Sequence, residues 1–157
     1  MIREFEFFHG AALINLIHNN KIYSIVTYPS AYNASYVINN GIGIYIKYSK
    51  KRISPWRFTF LIEHQDEIQE MQKKYEKLYI LLVCNDDGIV CLDFAQLKLI
   101  LDHFHKDAEW VAVYRNKREK YFIRGSDGEL KFKIGVNDFS KLMTYAEFNN
   151  KIANKDL

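Results

Sequence analysis

Residues 78–84 read Leu-Tyr-Ile-Leu-Leu-Val-Cys without a charged side chain, and no other segment limits the fold as tightly. A strand that is apolar on both faces needs cover on both faces. The run is too short to cross a membrane as a helix. It therefore predicts a central strand, inside a mixed sheet with helices laid on it.

A hairpin supplies a second fixed point. Residues 35–39 and 42–49 flank Asn40-Gly41, a pair suited to a two-residue hairpin turn. In the second arm, alternation puts Ile42, Ile44, Ile46 and Tyr48 on one face, with Gly43, Tyr45, Lys47 and Ser49 on the other.

The remaining elements follow from local signals. Phe5, Phe8, Ala12 and Leu16 recur at helical spacing and predict a helix over 3–19. Residues 22–28 predict a strand that stops at Pro29, and 49–57 read as a basic connector. A helix over 61–77 buries Ile68, Met71 and Tyr75, its acids leading and its lysines trailing as the helix dipole favours. Asn85-Asp86-Asp87-Gly88 turns into a short strand over 89–92. Asp93 and Gln96 have the spacing of a capping box, opening a helix to about 104. Residues 110–115, 120–124 and 130–134 read as a β-meander with a turn at 125–128, and Thr144 with Glu147 caps a last short helix.

The order α-β-β-β-α-β-β-α-β-β-β-α describes an α/β (α+β) protein, a mixed central sheet flanked by helices and followed by a C-terminal β-meander. The 157 residues suit a single domain over 1–157, with a core of about 3–104 and a meander and terminal helix of about 109–154. Cys84 and Cys91 lack metal or redox spacing and predict two reduced, buried thiols. With no membrane-length apolar run, the expectation is a soluble, cytoplasmic protein without a membrane partner.

Charge is unevenly placed. From Phe7 to Ile62 there is no Asp or Glu, while Lys21, Lys47, Lys50, Lys51, Arg52 and Arg57 fall in that stretch. Such a region favours a polyanion and lacks the carboxylates that a divalent cation requires. Lys50, Lys51, Arg52 and Arg57 surround Trp56, a mixture suited to phosphate contact and base stacking. A second basic cluster occupies the meander: Arg115, Lys117, Arg118, Lys120, Arg124, Lys131 and Lys133. The plain alternative is that both are solvated turns, with Trp56 and Phe58 packed in the core. Both clusters on one surface would favour binding. The histidines offer little, since His103 and His105 point apart on a helix and His9, His18 and His64 have no partner spacing.

Helix, three strands, helix, buried strand is an order that resembles the PD-(D/E)XK nuclease-like superfamily, which includes Holliday-junction resolvases and restriction enzymes. Its acid-x-lysine triplet falls on Tyr45-Ile46-Lys47, so Lys47 matches the family lysine and Tyr45 stands where the metal-binding acid belongs. The position of the opening Asp reads Asn33-Ala34-Ser35-Tyr36, without a carboxylate. Residues 45–49, 54–60 and 82–88 also look like an uncharacterised bacterial family associated with this fold. The resemblance implies a nucleic-acid-binding, catalytically inactive or strongly diverged nuclease-like protein, of the kind that serves as an accessory subunit of a nucleic-acid-processing complex. With Lys47 from the resemblance and the rest from the two basic clusters, the expected binding residues are Lys47, Lys50, Lys51, Arg52, Trp56, Arg57, Arg115, Lys117, Arg118 and Lys120, with DNA favoured over RNA. Lys47, Tyr45, Glu6 and Asp87 are the only candidates for residual catalysis. No metal or other cofactor is expected, and Mg²⁺ would enter only for an active nuclease whose acids had moved to Glu6 and Asp86 or Asp87. The rival reading from the residues themselves is a regulatory module that binds a protein or a second copy through its many aromatic side chains.

Overall fold

The computed structural model describes residues 1–104 and 106–142. In chain order the elements are α1 (Glu4–Asn19), β1 (Ile25–Thr27), β2 (Ser35–Ile38), β3 (Ile42–Ser49), β4 (Trp56–Phe60), α2 (Ile62–Lys74), β5 (Lys77–Cys84), β6 (Gly88–Asp93), α3 (Phe94–Ile100), β7 (Glu109–Tyr114), β8 (Phe122–Gly125) and β9 (Gly128–Glu129). A 3₁₀ turn at Asp138–Lys141 follows.

Two sheets form, where the sequence predicted one sheet and a meander. The first runs β1-β2-β3-β5-β6 and is mixed, because β3 and β5 are parallel and the other pairs antiparallel. The second runs β4-β7-β8-β9 and is antiparallel. Its edge, β4, falls where the sequence read only a basic connector. The alternation was present, with Trp56, Phe58 and Phe60 buried and Arg57 and Thr59 exposed, but Pro55 and the lysine-arginine run before it hid the strand.

The central run behaves as its composition requires. Ile80, Leu82 and Cys84 of β5 face one core, while Leu81 and Val83 face another. The second core lies under Ala12 and Leu16 of α1. The first lies between β5, Ile68 and Met71 of α2, Leu97 and Ile100 of α3, and the inner face of the second sheet. Ile80, Leu81 and Leu82 have no exposed surface, each worth about 1.5–3 kcal/mol of transfer free energy. Both cysteines are free thiols; Cys84 is buried and Cys91 partly so.

Several boundaries differ from expectation. The left-handed turn residues of the first hairpin are Asn39 and Asn40, at φ 52° and 58°, one position earlier than the Asn-Gly signal suggests. Tertiary contacts fix that choice: the buried Asn39 carboxamide accepts from the Tyr23 and Ser24 N–H groups and donates to the Lys21 carbonyl. α2 ends at Lys74 rather than 77. The α3 capping box forms as read, with the Gln96 N–H on Asp93 Oδ1 at 2.7 Å and the Asp93 N–H on Gln96 Oε1 at 2.9 Å. α3 nevertheless stops at Ile100, because the β8–β9 turn packs on its end. A Cβ on Gly125 or Gly128 would collide with the carbonyl oxygens of Ile100 and Leu99. Residues 130–134 do not form a strand; the bridge Tyr121↔Ile134 and the Leu130 N–H on the Ile123 carbonyl, at 3.0 Å, join them to the sheet. The predicted last helix, from Thr144, lies outside the described residues, as does His105. Among the described residues, no helix is long and apolar enough to cross a membrane.

Candidate nucleic-acid interface

Alternation gives the second sheet an open face. The register sets Arg57 opposite Ala112 and Ala112 opposite Arg124, with Thr59 opposite Trp110 and Tyr114 opposite Phe122. These residues therefore share one side, while Trp56, Phe58, Val111, Val113 and Ile123 point inward. The Arg57 and Arg124 guanidinium carbons lie 5.0 and 5.7 Å from the centre of the Trp110 ring. Tyr114 and Phe122 make a tilted pair with centroids 5.8 Å apart. Arg57 belongs to the first basic cluster and Arg124 to the second, so the sheet brings one member of each cluster to a single indole.

Beside this face is a hollow of about 470 Å³, lined by side chains from α1, the segment before β2, β3, β4 and the start of α2. Lys47 is its central cation. The amine lies 2.9 Å from His64 Nδ1 and 4.8 Å from the centre of the Phe60 ring. His64 is the third residue of α2, and its Nδ1 also accepts the Leu61 N–H at 3.1 Å, as a glutamate does in a capping box. Two donors on one nitrogen require the neutral ring. Burial, followed by the charge of Lys47, lowers the His64 pKa. Burial lowers Lys47 to about 8. Arg57 and Thr59 line the hollow from β4, and Tyr32 and Asn33 from the loop before β2.

The other predicted site residues are placed differently from one another. Trp56 is 2% exposed, packs edge-on to Tyr121 and donates its indole N–H to the Lys51 carbonyl at 2.8 Å. It is a core residue and offers no face to a base, so its predicted contact role is withdrawn. Tyr45, opposite Ser35 across the hairpin, is 1% exposed, and burial with the Glu67 charge nearby raises its hydroxyl pKa. Ser35 donates to Glu67 Oε2 at 2.7 Å. Lys50 is held by Glu4 at 3.1 Å. Glu6 accepts the Arg3 N–H at the start of α1 and does not line the Lys47 hollow. Asp87 is engaged elsewhere: both oxygens accept from Arg115, at 2.8 and 2.7 Å, and one also accepts the Tyr121 hydroxyl at 2.7 Å. Arg115 is thereby committed to a structural pair. Arg52, Lys117 and Arg115 line a second hollow, of about 360 Å³, and Lys51, Arg118 and Lys120 are exposed.

No carboxylate lines the Lys47 hollow among the described residues. A Mg²⁺ ion takes oxygen ligands, usually including one or two carboxylates, so the lining of this hollow does not fit one. Carboxylates gather elsewhere, in a place the sequence did not suggest. Ligand atoms of Asp102, Glu109 and Asp127 lie within 4.8 Å of one another, brought together from the end of α3, the start of β7 and the β8–β9 turn. Burial, then Asp127 and Asp102, push Glu109 up to about 7. Three separate segments contribute these acids, so no local spacing could have shown them.

The architecture defines a mixed α+β protein of two sheets sharing one core. The chain matches no family model, and neither a curated protein nor a solved structure matches it.

Proposed function

We propose that the protein binds nucleic acid through the open face of the second sheet and the adjoining Lys47 hollow, and does not cleave it. The observation that carries this reading is the meeting of Arg57 and Arg124 over Trp110. Guanidinium groups supply phosphate contacts, and partly exposed aromatic rings on a sheet supply stacking surface for unpaired bases. The acid-free lining of the hollow supports phosphate contact without metal-assisted hydrolysis. As part of the same proposal, we place the protein beside the PD-(D/E)XK nucleases, without their metal chemistry. The helix, the lysine-bearing hairpin, the helix and the buried β5 support that placement. A role beside other subunits of a nucleic-acid-processing complex suits a binder of this kind.

Fluorescence-anisotropy titrations of single-stranded DNA, single-stranded RNA and duplex DNA, from about 50 to about 200 mM salt, test the reading. The expected result is affinity that falls steeply with salt, strongest for a single strand. Arg57→Ala and Arg124→Ala should each weaken binding and flatten the salt slope by about 1. Salt-insensitive binding, or none at low salt, would remove the reading. A second reading, a protein-binding module, draws on Phe7, Ile14 and Ile17 of α1, which are 61%, 56% and 44% exposed. Self-association that Ile14→Glu abolishes, without nucleic-acid affinity, would favour it.

A further inference from the structure

We infer that the Lys47 hollow takes a terminal phosphate monoester, the phosphorylated end of a strand whose body lies on the open face of the second sheet. This inference rests on the nucleic-acid reading and narrows its ligand.

Size comes first. A water molecule takes about 30 Å³ in the liquid, so a hollow of about 470 Å³ has room for a phosphate together with its sugar. Position comes next. Arg57 and Thr59 line the hollow and also belong to the open face that carries Trp110 and Arg124. A strand on the sheet can therefore reach the hollow without crossing a wall of apolar side chains.

Charge separates an end from an interior position. A phosphodiester carries one negative charge on two free oxygens, whereas a monoester approaches two charges on three oxygens. The hollow presents two cations, Lys47 and Arg57, and no carboxylate among the described residues. Tyr32, Asn33 and Thr59 add neutral polar groups to the lining. A site with this balance discriminates for the dianion, because an attraction between charges is stronger where water is partly excluded. His64 acts through Lys47: its Nδ1 lone pair holds the amine at 2.9 Å. It is a positioning residue, with no ligand contact assigned to it.

The test compares three oligonucleotides of one sequence with an internal fluorophore: both ends hydroxyl, 5′-phosphorylated, and 3′-phosphorylated. Each is titrated against the full-length protein at fixed salt. One phosphorylated form should bind on the order of tenfold tighter than the hydroxyl form, the scale of one charge-assisted contact. Lys47→Met should bring that form down to the hydroxyl level, and Arg124→Ala should weaken all three while keeping their order. Equal affinity of the three for the wild-type protein overturns the terminal-phosphate site and leaves the nucleic-acid reading intact. A preference that survives Lys47→Met also overturns it. Absence of binding by all three at low salt overturns both. If Lys47→Met fails to fold, Lys47→Gln takes its place, and equal affinities in the wild-type comparison overturn the site whatever the variants do.

Discussion

The Lys47 amine and the Leu61 N–H share a single acceptor, His64 Nδ1, at 2.9 and 3.1 Å. One imidazole thus caps α2 and fixes the hollow's cation. That economy has a thermodynamic cost, since the lysine keeps its charge in a site short of water.

The first prediction follows from that cost. Burial lowers Lys47 from its usual 10.5 to about 8. Between those values the unfolded chain holds the proton more firmly than the folded one, so the penalty is full below about pH 8 and is relieved as pH rises toward 10.5. Lys47→Met should therefore be more stable than wild type at neutral pH, by on the order of 1–2 kcal/mol. The gain should shrink as pH approaches 10.5. Urea melts at neutral and alkaline pH check both the sign and the trend.

His9 makes the opposite end of the pH range sensitive. Its ring is 5% exposed, bonds Tyr36 through Nδ1 at 2.7 Å, and is lowered by burial from 6.5 to about 4. The neutral ring is common to both states above about pH 6.5. Below it the unfolded chain takes up the proton first, and stability falls until the folded ring also titrates near 4. The loss by about pH 5 should be on the order of 2 kcal/mol. His9→Leu should flatten this slope, which thermal melts across the range would show.

Removing the Asp87 carboxylate charge should weaken the junction between the two sheets. Asp87 follows β5, whereas Arg115 and Tyr121 come from the second sheet's connection, and three short hydrogen bonds join them. Asp87→Asn is expected to cost about 1–3 kcal/mol, because Arg115 loses its charge partner in a partly buried place. Arg115, and then the Tyr121 hydroxyl, hold the carboxyl below its usual 3.8. The wild-type contribution is present above that value and lost as pH falls below it. Denaturant midpoints of the variant and wild type at neutral and acid pH measure both effects.

The turn between β8 and β9 should tolerate no added methyl. Its glycines have ordinary negative φ, so conformational freedom is not the reason. The carbonyl oxygens at the end of α3 occupy the space of a Cβ at Gly125 and at Gly128. Gly125→Ala should destabilise by about 1–3 kcal/mol through overpacking. A melting temperature equal to wild type would show that α3 shifts freely.

Much of this molecule was legible residue by residue. Residues 78–84 could only be a covered strand, since an uncharged run on a pleat leaves no polar face for water. The 42–49 alternation assigned Lys47 and Tyr45 to the same side of β3, and the Asp93–Gln96 spacing capped α3, because these depend on contacts a few residues apart. β4 is hidden in the sequence for a related reason: its alternation is only five residues long, and a basic turn precedes it.

What the chain order could not fix was which distant segments meet. A plain sequence allowed Trp56 as a stacking residue or as core; β7 and Tyr121 cover it, and the indole is buried. Asp87 could have approached Lys47, but the guanidinium of Arg115 takes it. The two basic clusters stand far apart in sequence, and only the β4–β7–β8 register sets Arg57 and Arg124 around Trp110. Local periodicity determined the strands and their faces because it needs only short-range sterics and water. The tertiary structure decided which side chains meet at the candidate site, because pairing between strands is settled by burial of the whole core.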